Sequence, residues 1–240
     1  LAIRADDMTL DATINAAGRT VTLISNTGSD TIDIGSTGAS AANRLELSNA
    51  ELQRIAATTL VIGSGAAGNI AFVTADVTPG SNSGANVTTV SVITGGTITA
   101  TAAGIIETNL ALTAGGTINF TDSNTDVTKL AISASGQVVS FLDANAVDID
   151  AVAGVTGVTA TTFNLNTTGA VSDTEASTIS GVTTIVAGTG NNVILDVAGN
   201  NFGTVAVTSG SIVTLVDSNA LTLGATTANA ALSVTAVGVL

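Results

Sequence analysis

Two aspartates separated by one residue are the strongest candidates for chemistry in this sequence. Asp148 and Asp150 flank Ile149, and because residues two apart in a β-strand share a face, both carboxylates would leave the same outer face. Paired carboxylates can hydrolyse glycosidic bonds. Sites of that kind usually also hold a cation or a histidine, and Lys129 is the only Lys or Arg after Arg54. We therefore expect the pair to be solvated rather than catalytic.

The residue types on which most enzymes depend are missing. The 240 residues include neither His nor Cys. Without His there is no Ser-His-Asp triad and no general base of the usual kind at neutral pH. Without Cys there is no thiolate nucleophile, zinc–thiolate site or iron–sulfur cluster. We therefore predict a protein that is not an enzyme, with no catalytic, cofactor-binding or metal-binding residues.

Residues Gly63 to Gly68 match the pattern G-x-G-x-x-G, which occurs in dinucleotide-binding sites. Such a site needs a strand before the glycines, a helix after them and an acidic residue about 20 positions further on. Here the segment 69–73 is predicted to be a strand, and the next acidic residue is Asp76. The pattern therefore indicates a turn between two strands.

Two further segments share features with calcium-binding loops. The segment Asp122–Asp126 begins like an EF-hand loop, but Val127 stands where glycine is required and Ser133 where the bidentate glutamate belongs. The segment Gly188–Asn192 matches half of a calcium-binding nonapeptide repeat, but it lacks the aspartate and has no tandem copy. We predict a solvated turn at the first segment and a turn at the second, and calcium binding at Asp122–Asp126 stays open.

The charge of the chain restricts its partners. Five Lys and Arg against 18 Asp and Glu give a formal net charge of −13 at pH 7. So few cations cannot neutralise a run of phosphates, and we expect neither nucleic acid nor an anionic membrane surface as a partner.

No apolar run approaches the ~18 residues of a membrane-spanning helix. The chain opens without a basic, apolar leader, so we expect a mature or excised segment. An acidic surface rich in Thr, Ser and Asn suits an exterior or extracellular setting.

A short unit occurs three times at a spacing of 20 residues and is repeated once more further along the chain. It has apolar residues at its first and third positions, glycine at its seventh and an apolar residue at its ninth. The first and third side chains share a strand face and point inward. The glycine supplies a backbone conformation that a Cβ would penalise, and the ninth residue opens the next inward-facing strand. The units begin at Val90, Leu110, Leu130 and Phe163, their glycines are Gly96, Gly116, Gly136 and Gly169, and their ninth residues are Ile98, Ile118, Val138 and Val171.

Units of this size must stack on one another, because each buries too little apolar surface to be stable alone. Stacked coils of about 20 residues form an all-β fold, the parallel β-helix, in which identical positions lie ~4.8 Å apart. An aromatic content of only 2% suits the narrow interior of such a fold. About 12 coils would make a rod roughly 58 Å long.

The whole chain, 1–240, is predicted to be a single solenoid. Residues 1–78 form irregular coils with a short helical insert near 48–56, in which Ser48 is the N-cap and Glu51 completes a capping box. Residues 79–86 form a protruding loop, and residues 87–240 form regular coils. The segment 231–240 carries no charge, proline or polar cap, so we expect its strand edge to meet further coils or another copy.

Two stretches of the chain carry a resemblance to a known family. They are Leu45–Ile55, which runs into Leu60–Gly63, and Gly199–Val205, which runs into Asp217–Gly224. Together with the repeated units, they make the chain similar to the repeat region of filamentous haemagglutinin-like large exoproteins of bacteria. The resemblance implies a right-handed parallel β-helical shaft that is exported by two-partner secretion and used in adhesion.

These observations favour a non-catalytic, structural or adhesive shaft segment of a secreted or cell-surface bacterial exoprotein. The alternative is a protomer that stacks end to end into an extracellular filament or surface layer. Less favoured are a module that binds glycan or Ca²⁺ through outer ladders of Thr, Asn and Asp, and a carbohydrate-active β-helical enzyme. The expected partners are the chain itself, through axial stacking or neighbouring coils of a longer chain, and surface glycans.

Overall fold

The computed structural model describes residues 1–6, 8–37, 42–84 and 86–240. These residues are almost entirely β-structure. Parallel strands of successive coils pair about 20 residues apart and form a β-solenoid of about 11 turns. The predicted fold class is confirmed, with slightly fewer coils than expected because some coils are longer than 20 residues, as where Val139 pairs with Phe163. The right-handedness of the coil stays a prediction from the family resemblance.

Short strands and one helical turn make up the regular structure of the described residues. The first half of the chain has β1 (Ala2–Arg4), β2 (Ile14–Ile24), β3 (Thr31–Ile34), β4 (Arg44–Leu47), α1 (Asn49–Leu52), β5 (Ile55–Ser64), β6 (Ile70–Phe72), β7 (Thr89–Thr94), β8 (Ile98–Ala100), β9 (Ile106–Ala114) and β10 (Ile118–Phe120). The second half has β11 (Asp126–Ser133), β12 (Val138–Asp143), β13 (Val147–Ile149), β14 (Ala151–Val152), β15 (Val155–Thr156), β16 (Val158–Ala160), β17 (Thr162–Thr167), β18 (Val171–Asp173), β19 (Thr178–Val186), β20 (Val193–Leu195), β21 (Asn201–Asp217), β22 (Thr222–Leu223) and β23 (Ala228–Ala236).

The strands stack into three walls along the axis, and the apolar residues of each wall lie in columns. In the first wall β2, β5, β7, β9 and β11 pair in parallel, and the register is interrupted only in β2, between Ala16 and Thr20. In the second wall the register runs through β3, β6, β8, β10, β12 and β17. The third wall includes β13, β18, β20, the end of β21 and β23, and it is continuous with the first wall where Leu130 of β11 pairs with Ile149 of β13. The buried columns are exemplified by Leu60, Val90, Leu110 and Leu130 in the first wall and by Val147, Val171, Val193 and Val213 in the third.

The second wall also contains a column of aromatic rings. Phe72, Ala100, Phe120 and Phe141 lie in register on successive coils. Because Ala100 is small, the rings of Phe72 and Phe120 meet across it, edge to face, with centroids 5.0 Å apart. Phe120 stacks on Phe141 at 5.4 Å. The interior therefore accepts large side chains where a small residue on a neighbouring coil leaves room.

Two of the repeat assignments are wrong in their register. Val138 was expected to point inward, but it is 45% exposed and its neighbour Val139 is buried. Ile118 pairs with Val139, so this coil has one extra residue, and a shift of one position moves a side chain to the other face. The unit that starts at Phe163 stacks on Val139 in the second wall, not on Leu130 in the first.

The repeated glycines are needed for two different reasons. Gly136 has a φ of 76°, the left-handed conformation that we expected at this position. Gly96, Gly116 and Gly169 do not have a positive φ, so the expectation that their backbone conformation penalises a Cβ is wrong. What excludes a side chain there is close packing of the coils, since a Cβ on Gly169 would lie 2.4 Å from the backbone nitrogen of Ala146.

The predicted helical insert is present but shorter than expected. The helix spans Asn49–Leu52, and β5 already begins at Ile55. The Ser48 side chain accepts from the Glu51 backbone N–H and the Glu51 carboxylate accepts from the Ser48 N–H, which confirms the capping box. No helix among the described residues is long and apolar enough to cross a membrane.

The chain after β6 is attached to the end of this helix. The Gln53 side chain donates to the Thr78 hydroxyl at 2.9 Å, and Asn82 donates to the Gln53 side-chain oxygen at 2.6 Å. The predicted loop 79–86 contains turns at 79–82, and Ala85 within it lies outside the described residues. The loop is therefore held against the solenoid at its N-terminal side.

Candidate functional site

The structure brings together Lys129, Asp148 and Asp150. Lys129 on β11 and Asp148 on β13 are direct neighbours across parallel strands. The Lys129 ammonium donates to Asp150 Oδ2, and Asp150 Oδ1 accepts from the Ala151 backbone N–H at 2.6 Å. Asp148 instead accepts from two hydroxyls of the next coil, Ser172 at 2.8 Å and Thr174 at 3.3 Å. Both carboxylates are engaged in contacts that join neighbouring coils, and are not merely solvated as expected.

The electrostatic surroundings of Asp150 do not suit acid catalysis. The hydrogen bond and charge of Lys129 lower the pKa of Asp150, and the same contact raises the pKa of Lys129. A glycosidase needs one carboxyl whose pKa is raised so that it can donate a proton at neutral pH. Asp150 is shifted in the opposite direction, which argues against its acting as the general acid.

Asp150 lies at the base of a β-hairpin that the sequence analysis did not predict. β14 pairs antiparallel with β15. Ala153 and Gly154 between them have φ angles of 50° and 86°, as a two-residue type I′ turn requires. Val152 packs against Ala111 and Ala131 on the outer face of the first wall, and these three buried residues form a second apolar cluster outside the coil. The ion pair to Lys129 therefore fixes a hairpin to the solenoid.

The sequence feature that could have predicted this hairpin is found in the two coils on which it packs. Ala111 and Ala131 follow inward-facing leucines and occupy outward positions in register with each other. Both are completely buried. Two stacked alanines leave an outer face flat enough for a hairpin to lie on, and the Ala153–Gly154 pair supplies its turn.

A recurring aspartate corner was also missed. Asp143 ends β12 completely buried, with one carboxylate oxygen accepting from the Val127 N–H at 2.8 Å and the other from the Asn145 N–H at 2.9 Å. Asp217 repeats the arrangement with the N–H groups of Phe202 and Asn219. The sequence signal is Asp-x-Asn after an inward-facing strand. It recurs at 122–124, 143–145 and 217–219.

The segment Asp122–Asp126 belongs to this group of corners. The Asp122 side chain accepts from the Asn124 N–H at 2.9 Å, and Asp126 accepts from the Asn145 amide at 2.9 Å. The predicted turn is present and is solvated only in part, since Ser123 and Asn124 are exposed while Asp122 and Thr125 are buried. Among the described residues there is no group of three or more acidic side chains placed to hold a metal ion.

The other two glycine-containing motifs are turns, as predicted. β5 ends at Ser64 and β6 begins at Ile70, and the described chain between them contains no helix that could bind a pyrophosphate. In the second motif the Asn191 N–H donates to the Gly188 carbonyl at 3.2 Å. The Asn191 side chain also donates to the carbonyl of Thr168, on the coil before.

A groove beside the 79–86 loop contains a glutamate whose pKa is well above its ordinary value. The groove has a volume of about 370 Å³ and is lined by Glu107, Asp126 and hydroxyl-bearing residues that include Thr78, Ser81 and Thr88. Burial raises the pKa of Glu107 to about 7, although a hydrogen bond from the Thr108 N–H opposes this shift. No sequence signal marks this residue, because its burial depends on a loop from another coil.

Comparison of the chain with protein families, with curated proteins and with solved structures finds no match in any of the three.

Proposed function

We propose that this chain is a non-catalytic shaft segment of a secreted or cell-surface bacterial exoprotein. The observation that supports the proposal is the in-register stacking of strands from β2 to β23, coil after coil. Backbone hydrogen bonds between parallel strands then lie along the axis of the solenoid. Such an arrangement transmits a pulling force through many bonds in parallel.

The acidic residues support the same proposal. Asp143 and Asp217 join neighbouring coils through backbone N–H groups, and Asp150 fixes the hairpin through Lys129. Asp148, the other member of the candidate catalytic pair, contacts the hydroxyls of Ser172 and Thr174 on the next coil, which fits a structural role for both carboxylates. The resemblance to filamentous haemagglutinin-like exoproteins adds the surface location and the adhesive context.

Single-molecule force spectroscopy tests the mechanical proposal. A shaft should unfold in steps that release whole coils, and each coil of about 20 residues extends to roughly 70 Å. We expect repeated force peaks with increments at multiples of that length. A single low-force event that releases the whole chain would contradict the proposal, as would hydrolysis of a polysaccharide that is lost in Asp148→Asn.

The second candidate function is end-to-end assembly, and the last coil provides the observation that favours it. Leu232 on β23 is 47% exposed, and Val237 and Val239 beyond it are about 80% exposed. Apolar side chains on this strand are suited to contact with a further strand, whether of the same chain or of another copy. Electron microscopy over a concentration series distinguishes the two functions, since a protomer should form long fibres as concentration rises and an isolated shaft segment should not.

A further inference from the structure

One glutamate of the solenoid occupies a position where the neighbouring coils have valine. Glu107 on β9 pairs with Val127 on β11. On the other side Thr89 pairs with Asn109, and the same register continued back by two residues places Val87 opposite Glu107. Val87 and Val127 are both buried, with 3% and 1% of their surface exposed. A carboxyl group in such a column does not serve the packing of the coils, and a residue that breaks the local pattern of a fold marks a candidate functional site.

The Glu107 carboxyl lies in the groove beside the 79–86 loop and is only partly satisfied there. Its Oε1 atom accepts from the Thr108 N–H at 3.0 Å. Within the described part of the chain this N–H is the only hydrogen-bond donor to the carboxyl, so Oε2 has none. Burial raises the pKa of Glu107 to about 7, and no neighbouring cation opposes this shift. The carboxyl is therefore desolvated without a compensating charge.

The walls of the groove offer hydrogen-bond acceptors and an apolar contact. Thr78, Ser81 and Thr88 line it together with Asp126, and no Lys or Arg lines it as far as the structure describes the chain. Ile106, which is 45% exposed, adds an apolar surface to the same groove. The volume of about 370 Å³ is near the lower end of the range for small-molecule sites. These walls suit a small, positively charged hydrogen-bond donor that is attached to a short apolar chain.

We propose that the groove at Glu107 binds a primary ammonium group at the end of an unbranched aliphatic chain, as in a lysine side chain or an alkyl amine. An ammonium group has three donors and no acceptor, so it can donate to Glu107 Oε2 and to hydroxyl oxygens of the walls. The methylene groups behind it can contact Ile106, because such stems pack well on apolar surface. A guanidinium is less suited, since its planar fork uses both carboxylate oxygens and Oε1 already accepts the Thr108 N–H.

This inference goes beyond the shaft function, because a shaft needs no ligand. The net charge of −13 attracts every cation over long range, whereas the groove provides one specific contact. The contact should depend on pH, since an ammonium group binds the ionised form of Glu107. Asp126 is the only other titratable group that lines the described groove, and the lining residues between 78 and 88 contribute none. With a pKa of about 7 for Glu107, the affinity should fall about tenfold between pH 8 and pH 6.

Titration of the intact chain with pentylamine alone as the probe tests the proposal, followed by NMR and by calorimetry in about 0.15 M salt, which screens long-range attraction. We expect saturable shifts of the amide signals at 78–88 and 106–108. About half a proton should be released per amine bound at pH 7, because Glu107 ionises on binding. The neutral analogue 1-pentanol should bind at least tenfold more weakly. Glu107→Gln should weaken pentylamine binding at least tenfold, and so should Ser81→Leu, which fills the groove without a change of charge.

The matched control is Asp11→Asn, which removes one negative charge from an exposed position outside the groove and should keep the full response. A blocked tripeptide with a central lysine distinguishes the two sources of the ammonium group, since tighter binding of the peptide than of pentylamine indicates a polypeptide partner and weaker binding indicates a free amine.

Three results would overturn the proposal. The first is the absence of saturable pentylamine binding to the unmodified chain. The second is pentylamine binding that is undiminished in a folded Glu107→Gln variant, or that is matched by 1-pentanol. The third is binding of methyl glucoside in the groove in place of the amine, which would make the groove a site for a neutral sugar.

Discussion

The regular coils and the coil that carries the hairpin continue the same two apolar columns in different ways. In the regular coils the inward residues are two positions apart, as where Leu110 and Leu112 stack against Leu130 and Ile132. In the next coil the columns are continued by Ile149 and Val158, and residues 150–157 leave the wall between them. The solenoid therefore fixes where inward side chains return, and the chain between them is free to extend outward.

The regular coils and the hairpin also differ in where their apolar side chains pack. The regular coils depend on side chains inside the walls, such as Phe120, whereas the hairpin depends on a small cluster outside them. Removing an interior side chain leaves a cavity between coils. The coils cannot move in to fill it, because each is held in place by pairing with its neighbours. Losing the outer cluster should free only the hairpin. The following predictions test this difference, from the largest effect to the smallest.

Phe120→Ala should have the largest effect. It removes a ring that contacts both Phe72 and Phe141, and we expect a loss of about 3–5 kcal/mol in the free energy of unfolding. Val152→Ala, the matched change in the hairpin, should cost about 1.5 kcal/mol or less. Denaturant unfolding of the two variants measures both values. Equal losses would mean that the hairpin is part of the main core.

The stability of the protein should rise as the pH falls from 7.5 to 5. Burial raises the pKa of Glu107 from 4.5 to about 7 and that of Asp143 to about 6. Between the unfolded and folded values the native state binds more protons, so the free energy of unfolding decreases as pH rises. Thermal melts at several pH values measure this slope.

The variant that tests this pH dependence is Glu107→Gln. It should reduce the change in unfolding free energy between pH 5 and 7.5, and most of the change that remains should come from Asp143. Asp11→Asn, an exposed acid, should not change it. A pH profile that is the same for Glu107→Gln and the unmodified protein would show that Glu107 is not desolvated in its groove.

Thr183→Val should stabilise the protein. Thr183 occupies an inward position between Phe163 and Val205, it is completely buried, and its hydroxyl has no partner among the described residues. Replacing an unsatisfied hydroxyl with a methyl group of the same shape should add about 1 kcal/mol. Chemical denaturation measures the gain, and Thr184→Val on the outer face should change stability by less than about 0.5 kcal/mol. A net loss in Thr183→Val would mean that the hydroxyl is satisfied.

Lys129→Gln should have the smallest effect on global stability. The Lys129 side chain is 45% exposed, and ion pairs of this kind are worth about 1 kcal/mol or less. The change should appear locally, as faster amide hydrogen exchange at 151–156 with little change in Tm. A double-mutant cycle with Asp150→Asn isolates the pair from the packing. Global unfolding in Lys129→Gln would contradict the view that the hairpin is peripheral.

The inward positions were predictable wherever alternation was unbroken, as at Val90 and Leu110, because period two places them on one face. The prediction failed at Val138, where a single extra residue exchanges inside for outside. The Asp-x-Asn corners could have been found, since the motif recurs visibly after inward strands. The groove at Glu107 could not, because it depends on contacts between residues that are distant in sequence.

The most direct test of the central claim, that successive coils stack in register along one axis, uses the absence of cysteine from the chain. Two cysteines introduced on the outer face of the second wall can carry spin labels without interference. Ala71, Thr99, Asn119, Ser140, Asn164, Thr184 and Ala206 follow one another in register. Pulsed electron paramagnetic resonance should give roughly 19 Å for the pair at 71 and 164 and roughly 29 Å for the pair at 71 and 206, at ~4.8 Å per coil. Distances that do not increase in proportion to the number of coils would contradict the stacked solenoid and, with it, the shaft.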